Sequence, residues 1–130
     1  MGNLQRELRI GNLVYSKETN QLQKITGLTD ENPFIDAITF DYTNYDEIEA
    51  IPLTEEWLLK FGFEKNFENL IEILINKNQS LHFDETDNFM SLYIPINHEF
   101  IYLVFKHIKY VHQLQNLFFA LTGEELEIKQ

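Results

Sequence analysis

Two groups of side chains in this sequence could bind a metal ion, but neither has the spacing that such a site requires. The four histidines are His82, His98, His107 and His112. His107 and His112 are five residues apart, which puts them on different faces of a helix, and the chain has no cysteine to complete a zinc site. Asp84, Glu85 and Asp87 carry the oxygen ligands of a hard cation, but they lack the glycine and the distant glutamate of a calcium loop. We therefore expect partly exposed histidines, a solvated turn at Asp84–Asn88 and no metal cofactor.

Catalytic motifs are equally weak. A nuclease centre needs clustered carboxylates and a nearby lysine that hold magnesium over a phosphate. Glu127-Ile128-Lys129 offers only a fragment of this pattern, at a terminus that we expect to fray. The chain has five glycines and neither a phosphate-binding loop nor a Gly-x-Ser-x-Gly sequence. The sequence therefore favours a protein that is not an enzyme and uses no cofactor, with a magnesium enzyme as a third hypothesis.

The strongest chemical feature is an acidic stretch between Ile25 and Leu59, which contains nine carboxylates and no lysine or arginine. These acids are Asp30, Glu31, Asp36, Asp41, Asp46, Glu47, Glu49, Glu55 and Glu56. They supply most of the formal net charge of -11. A field of one sign repels nucleic acid and anionic membranes and attracts basic surfaces.

The acidic stretch has two interpretations. In the first, it is a solvated surface that keeps a protein with eleven phenylalanines soluble. In the second, it docks on a lysine- and arginine-rich groove that normally holds nucleic acid. Carboxylates two apart on a strand stand about 7 Å from each other, whereas duplex DNA carries one charge every ~1.7 Å. Any mimicry of DNA would therefore be coarse.

The contact residues expected under the second interpretation lie in and near the middle of the acidic stretch. They are Asp36, Asp41, Tyr42, Tyr45, Asp46, Glu47 and Glu49. Tyrosine is included because it is enriched in protein interfaces.

Composition and length predict one domain, residues 1–130, with two lobes at 1–62 and 63–130 as the alternative. The absence of cysteine is typical of a reducing compartment. Residues 1–7 show no secretory signal, and the longest apolar run, Phe100–Phe105, is far shorter than a membrane span. We expect a cytoplasmic protein.

The N-terminal half of the chain has the pattern of short strands separated by turns. A polar turn at residues 16–20 indicates a hairpin between the run that ends at Val14 and the run Leu22–Ile25. Period-two apolar residues at 38, 40 and 42 indicate a third strand, and Ile48–Leu53 a fourth. These four strands predict a small antiparallel sheet or a partial barrel.

The remaining elements are a short helix, further strands and a final helix. Thr54 has the character of an N-cap and Gly62 that of a helix stop, with Trp57, Leu58 and Phe61 turned to the core. The run 69–75 could be helix or strand, and its isoleucines favour a strand. Residues 81–83, 89–96 and 100–105 follow as antiparallel strands.

Three- and four-residue spacing then predicts an amphipathic C-terminal helix that ends at Gly123. Its buried stripe is Ile108, Val111, Leu114, Leu117, Phe118 and Leu121. Gln113, Gln115 and Asn116 are expected to face away from the core. The predicted fold class is α+β.

Three segments carry a resemblance to small proteins of bacterial phages and mobile elements. They are Leu8–Asn12 (LRIGN), Pro52–Phe63 (PLTEEWLLKFGF) and Val111–Leu126 (VHQLQNLFFALTGEEL). This group has no agreed biochemical role, so the resemblance implies a genomic setting and assigns no functional residue. Small acidic phage proteins often bind host proteins, and inhibitors of CRISPR effectors are an example.

The acidic stretch and this resemblance together predict an inhibitor that docks on the basic surface of a nucleic-acid-handling defence effector, such as a CRISPR nuclease, in the bacterial host cell. No direct nucleic-acid binding and no membrane binding are expected. The alternative is a phage structural or housekeeping module that self-associates through its aromatic surface and has no inhibitory role.

Overall fold

The computed structural model describes residues 7–17, 20–28, 33–35, 47–66, 68, 70–84 and 89–129. The described part of the chain forms two antiparallel sheets and two helices, which confirms the predicted α+β class. Neither helix is long and apolar enough to cross a membrane. The predicted strand at residues 38–42 lies outside the described residues.

The first sheet has four strands in the order β3-β2-β1-β4. The strands are β1 (Leu13–Ser16), β2 (Leu22–Leu28), β3 (Pro33–Ile35) and β4 (Ile48–Glu49). The predicted hairpin is confirmed as β1–β2, and its turn uses Asn20 with a left-handed φ of 56°. Asparagine tolerates this region better than most residues, which explains a turn without glycine.

The predicted strand Ile48–Leu53 is shorter than expected. Only its first two residues pair with β1, as β4. The C=O of Ile51 instead accepts a hydrogen bond from the N–H of Val111 at 2.8 Å, and Pro52 forms an isolated bridge with Tyr110. The chain therefore leaves the first sheet to pair with the segment that begins the last helix.

Helix α1 (Glu55–Lys60) forms as its local sequence predicts. The Thr54 hydroxyl accepts a hydrogen bond from the N–H of Trp57, and Glu55 and Glu56 lie in the first turn, where the helix dipole favours negative charge. The helix ends in a Schellman motif, in which Gly62 has φ 97° and the N–H of the next residue, Phe63, donates back to Leu58 at 3.1 Å. Leu58 and Phe63 are both buried, so the motif anchors the helix end in the core.

The second sheet is a five-stranded meander in the order β5-β6-β7-β8-β9. Its strands are β5 (Glu64–Lys65), β6 (Ile71–Leu74), β7 (Ser80–Asp84), β8 (Phe89–Ile96) and β9 (Glu99–Phe105). Residues 71–74 are thus a strand, as their isoleucines favoured, and the short β5 had no sequence signal. The β8–β9 turn consists of Asn97 and His98, both with positive φ, which is the two-residue hairpin geometry that matches the twist of the strands.

Helix α2 (Val111–Thr122) ends at Gly123 with φ 76°, as predicted. Its buried stripe covers only the first half of the helix. Val111 and Leu114 are fully buried, whereas Leu117 and Phe118 are partly buried and Leu121 is exposed. The predicted burial of Leu121 is therefore wrong.

The larger core cluster joins α1, α2, the second sheet and Leu13 of β1. It therefore contains side chains from both 1–62 and 63–130. A smaller cluster joins Leu8, which precedes β1, to Val14, Ile25 and Ile48 of the first sheet.

Candidate functional site

Most of the expected contact residues of the acidic stretch lie outside the described part of the chain. Asp36, Asp41, Tyr42, Tyr45 and Asp46 belong to this group. Glu47 and Glu49 are described, and both are exposed at β4, an edge strand of the first sheet. Two further acids of the stretch form ion pairs with lysines that follow it in the sequence. Glu55 lies 2.8 Å from Lys65, and Glu56 lies 3.6 Å from Lys60.

His82 is the centre of a polar group that resembles a catalytic triad in composition but not in geometry. The Ser80 hydroxyl lies 2.8 Å from His82 Nε2, and a Glu72 carboxylate oxygen lies 3.3 Å from the same nitrogen. A triad needs the nucleophile and the acid on opposite ring nitrogens. Here His82 Nδ1 is buried, and no described residue forms a hydrogen bond with it. Burial lowers the pKa of His82, and the nearby Glu72 carboxylate opposes this effect. The arrangement cannot relay a proton from Ser80 to Glu72.

The expectation of partly exposed histidines is wrong for His112. Its side chain is buried in α2, and its Nε2 lies 2.6 Å from a Glu7 carboxylate oxygen. His98 and His107 are exposed, as expected. Among the described residues, no three histidine, aspartate or glutamate side chains come together to hold a metal ion. Glu85 and Asp87 lie outside the described residues.

The predicted outward orientation of the α2 amides is also wrong. Gln115 is only 2% exposed. Its carbonyl oxygen accepts the N–H of Leu13 at 2.8 Å, and its amide nitrogen donates to the C=O of Gly11 at 3.1 Å. Asn116 accepts from Asn12 at 2.8 Å and from Arg9 at 3.0 Å. Both amides therefore tie α2 to residues 9–13, which lead into β1.

We call this group the α2 polar cluster, and it consists of Arg9, Asn12, Gln115, Asn116 and Glu125. Arg9 binds both carboxylate oxygens of Glu125, at 2.6 Å and 3.1 Å. This hydrogen bonding lowers the pKa of Glu125 against a smaller opposing effect of burial. The cluster borders an open groove of about 340 Å³. Gln115 and Glu125, two polar residues that line the groove, already bind protein groups.

The C-terminal tail is held in place where fraying was expected. Leu126 is 3% exposed within the core, and the N–H of Lys129 donates to the C=O of Lys60 at 2.7 Å. The α2 polar cluster joins α2 to residues 9–12, and this tail contact joins the chain end to α1.

The most unusual surface of the described chain is β9. Its five central residues, Phe100 to Val104, are all apolar or aromatic and between 42% and 62% exposed. Residues 101 and 103 continue the core face of the sheet past β8, and residues 100, 102 and 104 lie on the opposite face. Both faces of β9 are therefore open, and no described strand pairs with its outer edge.

Aromatic rings pack together on the face of β9 that carries residues 100, 102 and 104. Tyr93 on β8 lies between Phe100 and Tyr102, with ring centroids 5.1 Å and 5.3 Å away. His82 stacks on Tyr93 at 5.5 Å and contacts the Tyr102 ring edge-on at 6.2 Å. These contacts place large aromatic side chains together at the sheet edge. The sequence predicted the strand, but its six-residue apolar run has the composition of a core strand.

Comparison of the sequence and fold with family models, curated proteins and solved structures finds no match to any of them.

Proposed function

We propose that this chain is a non-catalytic protein-interaction module of the structural or housekeeping class, which works by adding a strand from another polypeptide to the free edge of β9. The observation that carries the proposal is the exposure of Phe100–Val104 on both faces of β9, whose outer edge pairs with no described strand. Unpaired strand edges are templates for pairing with another chain. In such complexes the backbone supplies hydrogen bonds and alternate side chains supply specificity.

The size of the surface fits a binding role. The exposed fractions of the five side chains correspond to roughly 400 Å² of apolar surface. The largest apolar patch on a typical monomer is about 300–600 Å² and is often functional. Other edge strands in the described part of the chain have only two or three residues, namely β3, β4 and β5. A long, uncharged edge is therefore specific to β9.

Substitution of Val104 tests this role. Val104→Pro removes an N–H that we expect to point away from β8, so it blocks the edge and leaves the β8–β9 ladder intact. Val104→Thr is the matched control, since it keeps the N–H and a β-branched side chain. In a tagged pull-down, wild type and Val104→Thr should retain the same partner and Val104→Pro should lose it. Equal retention by all three, at equal thermal stability, would contradict the proposal.

The acidic stretch supports a second candidate, the predicted inhibitor of a nucleic-acid-handling defence effector such as a CRISPR nuclease. Its specific support is the exposure of Glu47 and Glu49 side by side at the β4 edge. Reversal of five acids to lysine tests it. The five acids are Asp36, Asp41, Asp46, Glu47 and Glu49. The control reverses exposed acids elsewhere, at Glu64, Glu68, Glu124 and Glu127.

The inhibitor candidate predicts that binding to a basic protein weakens with salt and is lost on the first reversal only, because contacts between opposite charges are screened. Unchanged binding and unchanged salt dependence after the first reversal would exclude it.

A further inference from the structure

Hairpin geometry determines which backbone groups of β9 face the free edge. The residues on either side of the two-residue turn at 97–98 form a hydrogen-bonded pair, so the odd-numbered residues of β9 bond to β8. Phe100, Tyr102 and Val104 then direct their N–H and C=O groups outward. Pro95, which lies opposite Phe100, fits this pattern because it has no N–H to donate to β9.

We infer that the strand added to β9 is β9 of a second copy of this chain, in an antiparallel register with Tyr102 opposite the partner's Tyr102. The inference rests on the proposed function and names its partner. A twofold axis perpendicular to the sheet passes through the Tyr102 pair. Phe100 then lies opposite the partner's Val104, and Ile101 opposite the partner's Leu103. Every outward backbone group finds a partner, and the two sheets become one.

The position of the twofold axis follows from the strand itself. Tyr102 is the midpoint of Glu99–Phe105, so this register pairs the strand over its whole length. A twofold axis through Leu103 would place Phe100 opposite Lys106, beyond the end of the strand. In the Tyr102 register all pairs between residues 100 and 104 are apolar or aromatic. Such cross-strand pairs stabilise sheets.

Charge favours a second copy in this orientation. β9 starts with Glu99 and is followed by Lys106, with no charged side chain between them. Antiparallel pairing brings the acidic end of one copy near the basic end of the other, whereas parallel pairing would bring like charges together. The rest of the molecule carries a net charge that makes two copies repel, with a formal total of -11 each. The uncharged edge is where two copies can approach at the lowest electrostatic cost.

The charge and the size of the surface together predict a weak dimer with an unusual salt dependence. Interfaces that bury less than about 1,200 Å² in total belong to the transient class, so association should occur in the micromolar range. Salt screens the repulsion between the two acidic bodies. Association should therefore strengthen as salt rises, in contrast to docking on a basic partner.

Complementary charges at the twofold axis test the register. In sedimentation velocity over a concentration series, wild type should form a reversible dimer. Tyr102→Lys and Tyr102→Glu should each associate at least about tenfold more weakly, because each places like charges opposite each other. An equimolar mixture of the two variants should regain the dimer. The double variant Ile101→Glu/Leu103→Lys should also dimerise, since each glutamate faces a lysine.

Several results would overturn the inference. They are a wild-type protein that is monomeric at every concentration, a Tyr102→Lys variant that dimerises as wild type does, and a mixture that stays monomeric while both variants remain folded by thermal unfolding. A monomeric wild type whose partner is still lost on Val104→Pro would remove the second copy and leave the proposed function standing. Failure of both tests would remove both.

Discussion

Replacement of Gln115 by methionine should destabilise the protein strongly, because this side chain satisfies two backbone groups at once. Methionine has nearly the same length and helix propensity, so the substitution removes the amide with little change in shape. It leaves the N–H of Leu13 and the C=O of Gly11 without their partner. An unsatisfied buried polar group costs about 1–3 kcal/mol.

The two hydrogen bonds of Gln115 differ in burial, and this difference sets the size of the expected destabilisation. The bond to Leu13 is fully buried, whereas the bond to Gly11 is partly buried and can be replaced by water. We take about 2 kcal/mol for the first and about 1 kcal/mol for the second, which gives a loss of about 3 kcal/mol in the free energy of unfolding. That is a large part of the roughly 5–15 kcal/mol that stabilises an ordinary domain.

Urea denaturation of wild type, Gln115→Met and Gln113→Met measures this difference. Gln113 lies on the same helix, and its side-chain oxygen accepts the N–H groups of Lys109 and Tyr110 at an exposed position. Its replacement should therefore cost only about 0.5–1 kcal/mol. A loss for Gln115→Met below about 1 kcal/mol, or no larger than that for Gln113→Met, would refute the reasoning.

Two further predictions concern pH and helix ends. The pKa of His82 is lowered in the folded state, so the unfolded chain binds the proton first, and the free energy of unfolding should fall as the pH drops below about 6.5. His82→Gln should reduce this fall between pH 7 and 5. An unchanged pH profile of the urea midpoint in this variant would contradict the prediction. Gly62→Ala should cost more than Gly123→Ala, although both glycines have positive φ, because a Cβ at Gly62 would lie 3.0 Å from the Lys129 side chain and one at Gly123 meets nothing within 4 Å. Each variant should lose at least about 1 kcal/mol of unfolding free energy through backbone strain. Thermal unfolding measures both losses, and equal losses would contradict the ranking.

The parts of the fold that the sequence predicted correctly depend on local signals. Helix α1 follows from Thr54 and Gly62, which act within one turn of the helix ends. The hairpins follow from clusters of turn residues between apolar runs. These features are set by backbone conformation and by neighbours a few residues away, so they can be recognised without tertiary structure.

The predictions that were wrong concern side chains whose partners lie far away in the sequence. Gln115 and Asn116 are amides on a helix, and most such amides face water. Gln115 is buried and Asn116 is half-buried here because backbone and side-chain groups about 100 residues earlier meet them. His112 is buried for the same reason, through Glu7. No spacing rule within α2 reveals these partners.

The candidate site shows a similar limit. An apolar run such as 100–105 has the same composition in a central strand and in an exposed edge strand. Its position at the edge follows from strand order, since the last strand of a meander has a neighbouring strand on one side only and α2 packs elsewhere. Exposure of β9 is therefore a property of topology, whereas the charge of the acidic stretch can be read directly from the sequence.

Residue-resolved amide hydrogen exchange of wild type at a low and a high protein concentration tests the central claim most directly. If β9 pairs with a second copy, the outward amides of Phe100, Tyr102 and Val104 should exchange quickly in dilute solution and become protected at high concentration. The inward amides of Ile101 and Leu103 should be protected at both concentrations, since they bond to β8. Exchange at Phe100, Tyr102 and Val104 that does not change with concentration would contradict the account.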